Sequence, residues 1–261
     1  MPEKRYKQFR FDKLQMYFAE PYVIDVDDAE GQVVVHQPTI GDIVRIGEKR
    51  FYGTLNIFIT NTTAHRLLLW NVGIDWNVFT DFQLFTSFYT QIDDEVSKLI
   101  FPDLSFANFE LFQRTTETEE GKVEEVIMKD RETGVEITEE VYQRFAQYLR
   151  HAFTSFPEEK ITDDPVLKQW FINKDERELK RQENGKTKEN SLLPVISSCV
   201  NHPGFKYSVE QLREIPIYQF FDSVARLQVY ENTTAVLKGM YSGFVDASKL
   251  KPDSYNFMRD I

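Results

Sequence analysis

The chain is poor in residues that build covalent or metal frameworks. It has one cysteine in 261 residues, which excludes an intrachain disulfide, a zinc ribbon and an iron–sulfur cluster. Its apolar runs, such as the one at residues 66–70, are far shorter than the roughly 20 residues that cross a bilayer. The charged N-terminus is followed by no apolar segment of the kind that a signal peptide needs. We therefore expect an intracellular protein with no membrane partner.

Aromatic and acidic residues, in contrast, are abundant. Phe, Tyr and Trp make up 14% of the chain, too many for a disordered protein, and the formal net charge is −11. Most of that charge lies in residues 115–140, while residues 1–13 are locally basic. The acidic stretch is typical of a solvated face, and a docking surface for a basic partner is the alternative. The basic arm interleaves Tyr6, Phe9 and Phe11, but in so acidic a chain nucleic acid is not an expected partner, and a flexible or partner-docking arm is the more ordinary interpretation.

Side-chain patterns predict an α+β fold that is mainly helical. Residues 22–26 and 33–37 are rich in β-branched side chains and predict an N-terminal β-hairpin across a turn at 27–32. Thr39 followed by Asp42 resembles a capping box, and the apolar spacing from there to residue 59 predicts one helix of about five turns. Shorter helices are expected at 63–72, 80–91 and 93–101, and a strand at 106–112.

A second β-hairpin is expected inside the acidic section, between residues 122–129 and 135–137. Thr138 is placed to cap the helix that follows it. Residues 156–190 then change character: after a brief apolar stripe at Val166, Leu167, Trp170 and Phe171, the stretch 174–189 is polar all round. We therefore predict an N-terminal domain at 1–155, a polar helical connector at 156–190 and a C-terminal helical domain at 191–261.

The C-terminal domain is predicted to contain three helices. They are expected at residues 192–200, from a Ser208 cap to residue 213, and from Pro216 to a stop at Gly243. The apolar stripe of the last helix reads Ile217, Phe220, Phe221, Val224, Leu227, Thr234, Leu237 and Tyr241.

No catalytic, metal-binding or phosphate-binding motif is present with the residue spacing that it requires. The four histidines lie tens of residues apart, and residues 25–36 lack the glycine and glutamate of a calcium loop. Residues 185–187 match the end of a phosphate-binding loop, but Lys180 stands at the position where that motif requires its first glycine. Cys199 lies in an apolar helical pattern that is typical of an inert core thiol. We expect no catalytic, cofactor-binding or metal-binding residues, no cofactor and no enzymatic activity.

Two stretches carry a family resemblance. The first comprises residues 37–43, 47–52, 66–70 and 73–76, and the second comprises residues 200–205, 220–226 and 239–246. Both resemble uncharacterised proteins that tailed phages and prophages of Gram-positive hosts encode near their tail genes, and these proteins are similar to tail assembly chaperones. The resemblance implies a protein of the host cytoplasm that coats the tape-measure protein and recruits tail-tube subunits.

Such a role requires apolar grooves that accept amphipathic helices. We expect them on the last helix, and the candidate partner-binding residues are Phe220, Phe221, Val224, Leu227, Tyr241 and Phe244. For any one aromatic residue, a place in the core is the competing interpretation. The family commonly makes a short form and a frameshifted long form. This chain departs from it in its predicted β-hairpins and in being read as one continuous product. A structural virion component of the tail, neck or baseplate, or an effector that binds a host protein through residues 115–140, therefore stays open, as does homo-oligomerisation.

Overall fold

The computed structural model describes residues 6–26, 31–118, 121–184 and 192–261. It is 55% helical and contains two antiparallel sheets, one of two strands and one of three. The predicted class, a mainly helical α+β fold, is confirmed. Each half of the chain contributes side chains to the main hydrophobic core.

The N-terminal segment forms a short helix and the first hairpin. Asp12 caps helix α1 (Lys13–Tyr17) by accepting hydrogen bonds from two backbone N–H groups. Strand β1 (Tyr22–Asp25) then pairs antiparallel with β2 (Gln32–Val35), as the β-branched pattern predicted. The expected turn lies for the most part outside the described residues, because 27–30 are not among them.

The predicted five-turn helix is two helices. The Thr39 hydroxyl accepts the Asp42 N–H and the Asp42 carboxylate accepts the Thr39 N–H, so the capping box is confirmed at the start of α2 (Ile40–Ile46). The helix is interrupted at Gly47, whose φ of +94° lies in a region where residues with a side chain are strained. A separate helix, α3 (Glu48–Ile59), begins after it. The apolar periodicity continues across the break, which explains why the pattern did not show it.

The middle of the chain contains three short helices and the acidic sheet. Helices α4 (Arg66–Asn71), α5 (Asp81–Phe88) and α6 (Asp94–Ile100) agree with the predicted ones. Residues 106–108 form a 3-10 turn, so the strand predicted from 106 begins later, as β3 (Phe109–Thr118). Strand β4 (Gly121–Asp130) pairs with β3 on one side and with β5 (Glu136–Ile137) on the other. The predicted acidic hairpin is therefore the β4–β5 part of a three-stranded sheet.

Helix α7 (Glu139–Ala152) lies at the centre of the aromatic core. Thr138 caps it as predicted, and Phe145 packs edge-on against aromatic rings from α3, α5 and the α6 end. Most of the fully buried large side chains are aromatic. Much of the chain's aromatic content therefore stabilises the interior.

Helix α8 (Pro165–Asn184) turns a different face inward than the sequence predicted. Of the expected stripe, Val166, Leu167 and Trp170 are exposed, Val166 to 75%, and Phe171 alone packs inward. It does so beside Ile172, which is 1% exposed and packs with Leu69 and Trp76. The side chains of Trp76 and Asn77 donate hydrogen bonds to the backbone carbonyls of Lys160 and Thr162. These bonds position the segment that leads into α8 against Trp76. Only tertiary contacts decide this choice of face.

The predicted C-terminal helices are present as α9 (Leu192–Val200), α10 (Val209–Arg213) and α11 (Ile217–Tyr241), with Ser208 in a capping box. The N-terminal half is joined to them by backbone bonds: the Ile40 N–H donates to the Ile215 carbonyl at 3.1 Å, and the Ile217 N–H donates to the Pro38 carbonyl at 3.0 Å. The division into domains at 155 and 190 stays a prediction.

Candidate partner-binding groove

A groove runs along α11 on the side that faces α9. It consists of two adjoining hollows of about 680 and 620 Å³. We call it the α9–α11 groove and define it by the residues that line it: Tyr17, Pro194, Val195, Ser198, Cys199, residues 202–207, Asp222, Ser223, Val224, Arg226, Leu227, Gln228, Tyr230, Glu231 and Asn232.

His202 and Glu231 stand where the two hollows meet, and Leu227 lines both of them. The Nδ1 atom of His202 accepts the Gly204 N–H at 3.0 Å, so this nitrogen carries no proton. The proton is therefore on Nε2, which lies 3.1 Å from the Glu231 carboxylate and donates to it. This pair ties the loop after α9 to the middle of α11 and fixes the width of the groove at that point.

The Gly204 position supports this arrangement. A Cβ atom there would lie 3.0 Å from Cε1 and 3.1 Å from Nδ1 of His202, closer than side chains normally approach. Glycine therefore lets the loop pass under the imidazole ring. A larger residue would push His202 away from Glu231.

Charged groups of both signs lie along the apolar floor. Burial raises the pKa of the Asp222 carboxyl, and nearby Arg226 and Lys13 oppose that shift. Cys199 is buried, and burial raises the pKa of its thiol, which favours the protonated form. Across the described ranges, no three His, Cys, Asp or Glu side chains come together as a metal-ligand set. These features suit a surface that recognises a partner by shape and charge.

The C-terminal tail forms one rim of the groove. Arg226 donates to the Arg259 carbonyl at 2.7 Å, and the rings of Tyr230 and Phe257 lie 5.3 Å apart. The tail returns over the face of α11 that carries Val229 and Thr233, and both of these residues are buried. The opposite face of α11 is left open to the groove.

The predicted partner-binding residues separate into three groups. Val224 and Leu227 line the groove, and Phe221 packs at the edge of the main core beside it. Phe220 is fully buried in that core and is not part of the surface. Tyr241 and Phe244 are 86% and 90% exposed but lie beyond the groove: Tyr241 is about 21 Å further along α11 than Leu227 at 1.5 Å per residue, and Phe244 follows the end of the helix. The partner-binding role of the exposed residues stays a prediction.

Sequence reasoning missed the polar residues of the groove. His202 was read as part of a turn, and Glu231 was not singled out, because the two lie 29 positions apart and no local pattern links them. The available signal was weak: Leu227 and Glu231 are four residues apart on one helix face. Only the return of α11 beside α9 brings them together with His202.

Comparisons with known proteins bear on this same part of the chain. A family model described as the YomV second domain matches residues 182–261, which include α9, α10, α11 and every groove residue except Tyr17. The match points to a phage-type protein family, the coarser part of the resemblance seen in the sequence. No curated protein and no solved structure matches the chain. No helix in the described residues is long and apolar enough to cross a membrane.

Proposed function

We propose that the chain is a non-enzymatic phage protein of tail morphogenesis that binds an amphipathic helix in the α9–α11 groove. The groove itself carries the proposal. It has an apolar floor at Val195, Val224 and Leu227 and polar groups at its rim; α9 and α11 border the smaller hollow, and α11 and the loop 202–207 border the larger one. Helix-in-groove recognition uses this combination of an apolar trough and a charged border.

The chemistry of the groove fits a helical partner better than a small molecule. Its two hollows lie side by side over residues 222–232 of α11 and share Leu227, so a helix laid across Leu227 would contact both. Arg226 and Glu231 on the rim offer charges of both signs to the polar face of such a helix. The tape-measure protein, a long helical chain, is the partner that the sequence resemblance implies, and the YomV-type match at 182–261 is compatible with that setting. We therefore favour a tail assembly chaperone that acts in the host cytoplasm.

The decisive experiment is capture of the tape-measure and tail-tube proteins encoded in the same phage genome. We expect the wild-type chain to retain one of them, and Leu227→Arg to reduce the retained amount at least tenfold by placing a charge on the apolar floor. Val166→Arg is the matched control, since Val166 is exposed on α8 and is not among the groove residues. Circular dichroism and a melting curve on each variant show whether the fold survives.

Three results would decide against the proposal. Equal capture by Leu227→Arg and wild type would remove the groove from the interaction. Detection of the chain in purified virions by mass spectrometry would favour the structural alternative in the tail, neck or baseplate. Capture of a host protein alone, lost when the acidic residues of 115–140 are neutralised, would favour the effector alternative.

A further inference from the structure

The outer edge of β3 is unpaired and unprotected. The three-stranded sheet has the order β3-β4-β5, so among the described residues β3 has a neighbouring strand on one side only. The Phe109 carbonyl accepts from the Tyr89 hydroxyl at 3.3 Å, and from Glu110 to Gln113 the backbone makes no hydrogen bond outside the β3–β4 ladder in the described part of the chain. Leu111 and Phe112 are 46% and 45% exposed. A strand edge with free backbone groups and exposed apolar side chains is a template for another strand.

Proteins usually blunt such an edge with lysine, proline or a bulge. Residues 110–115 contain neither lysine nor proline, and the β3–β4 register runs without a bulge from Phe109 to Thr118. The edge is therefore available for pairing. We propose that it binds β3 of a second copy of this chain, antiparallel and centred on Phe112. This proposal is independent of the α9–α11 groove.

The sequence of β3 selects this register. With a twofold axis at Phe112, each Phe112 ring lies opposite its own counterpart, and Glu110 of each copy lies opposite Arg114 of the other. Aromatic pairs and opposite charges are the cross-strand pairs that stabilise antiparallel strands. Moving the axis to Leu111 puts Glu110 opposite Phe112, and moving it to Gln113 puts Arg114 opposite Phe112. Neither shift pairs opposite charges.

Intrachain contacts are compatible with this pairing. Arg114 bonds Glu125 and Glu136 on its own sheet, which holds the guanidinium on the face that it would share with Glu110 of the second copy. Glu110 forms an exposed ion pair with Arg131 at 3.3 Å. Antiparallel pairing also separates like charges, whereas parallel pairing in register would put Glu110 beside Glu110. Five residues from each copy form a small interface, so we expect association to be reversible and dependent on concentration.

A register-specific cross-link tests the proposal. In a Cys199→Ser background, Phe112→Cys is compared with Leu111→Cys, which is equally exposed but on the other face of the strand. Directly opposite Cβ atoms lie about 4.5–5.5 Å apart and diagonal ones about 7–8 Å, so only the first pair comes near disulfide geometry. Under mild oxidation we expect the Phe112→Cys chain to form covalent dimer at least tenfold faster. Equal rates in the two variants would overturn the proposal.

Charge reversal provides the second measurement. Sedimentation velocity on the wild-type chain is expected to show more dimer as concentration rises, and Glu110→Arg is expected to abolish it by placing arginine opposite arginine. Arg114→Glu alone is also expected to stay monomeric, because it places glutamate opposite Glu110 of the second copy. An equimolar mixture of the two variants is expected to regain dimer, because every cross-strand charge pair is then of opposite sign. Circular dichroism confirms that each variant folds. A wild-type chain that stays monomeric at every concentration, or dimer that persists in Glu110→Arg, would refute this interface.

Discussion

Arg150 and Asp81 form a buried ion pair where three helices meet, with the guanidinium Nη2 3.3 Å from the carboxylate Oδ2. Arg150 also donates to the carbonyls of Ile59 and Thr60, both at 2.7 Å. Asp81 accepts the Thr62 N–H at 2.9 Å. Arg150 thus satisfies the backbone carbonyls left without helical partners at the end of α3. Together the pair ties that end to the first turn of α5, which contains Asp81, and to the last turn of α7, which contains Arg150.

Removal of one member of this pair should be costly. In Arg150→Ala the Asp81 carboxylate stays buried without its counter-charge, and we expect the free energy of unfolding to fall by about 3–5 kcal/mol. Arg45→Ala is the control, because Arg45 pairs with Asp42 and Glu95 on the surface and should cost about 0–1 kcal/mol. Urea unfolding followed by circular dichroism measures both values. Equal losses would show that the buried pair has no special role.

A glycine pair tests the junction between the two halves of the chain. A Cβ atom on Gly41 in α2 would lie 2.7 Å from the Arg213 carbonyl oxygen at the end of α10, whereas one on Gly53 in α3 would meet nothing within 4 Å. We expect Gly41→Ala to destabilise the protein by about 1–3 kcal/mol through overpacking. Gly53→Ala should stabilise it by roughly 0.5–1 kcal/mol, since alanine favours a helix interior. If both substitutions raise the melting temperature, α2 and α10 do not pack as closely as this distance indicates.

Local chemistry made much of the fold predictable. The caps at Thr39, Thr138 and Ser208 depend on side chains within three residues of the helix start, so a short sequence window contains the whole signal. The break at Gly47 was missed because the apolar spacing does not change across it. The inward face of α8 was missed because Ile172 is selected by Trp76, which is remote in the sequence.

The groove was predictable only in part. The 3.6-residue period identified α11 and placed Val224 and Leu227 on an apolar stripe. It did not reveal that the first turns pack into the main core and bury Phe220, or that the tail covers Val229 and Thr233. A helical stripe shows that a face is apolar, but which neighbour covers each turn depends on the path of the rest of the chain.

Two glutamines on α7 offer a further comparison. Gln147 holds the N-terminal arm with both ends of its amide, accepting the Phe9 N–H at 3.0 Å and donating to the Lys7 carbonyl at 2.9 Å. One turn earlier, both amide atoms of Gln143 are buried and have no hydrogen-bond partner among the residues that the structure describes. Gln147→Leu should therefore cost about 1–3 kcal/mol by leaving arm backbone groups unpaired, while Gln143→Leu should be neutral or stabilising.

Hydrogen exchange adds a local measurement to that comparison. The Phe9 amide should exchange faster in Gln147→Leu than in wild type, because its acceptor is gone, and should be unchanged in Gln143→Leu. Residues 7–9 of the arm would then be held by α7 within the same chain, whereas the sequence predicted an arm that is either flexible or docked on a partner. Unchanged exchange at Phe9 in both variants would show that the ring of Phe9, which lies under Arg144 and Lys7, holds the arm without the amide.

His65 should make stability depend on pH. Burial lowers the pKa of His65 below its ordinary value of 6.5, so below about pH 6.5 the unfolded chain takes up a proton that the folded chain resists. The contribution of neutral His65 is therefore present above pH 6.5 and is lost as the pH falls through the folded pKa. Between pH 7.5 and 5.5 we expect the urea midpoint of the wild type to fall further than that of His65→Asn, which has no imidazole to protonate there. All carboxylates are common to the two proteins and cancel in the difference, so parallel midpoint curves would mean that the buried imidazole is protonated as readily in the folded chain as in the unfolded one.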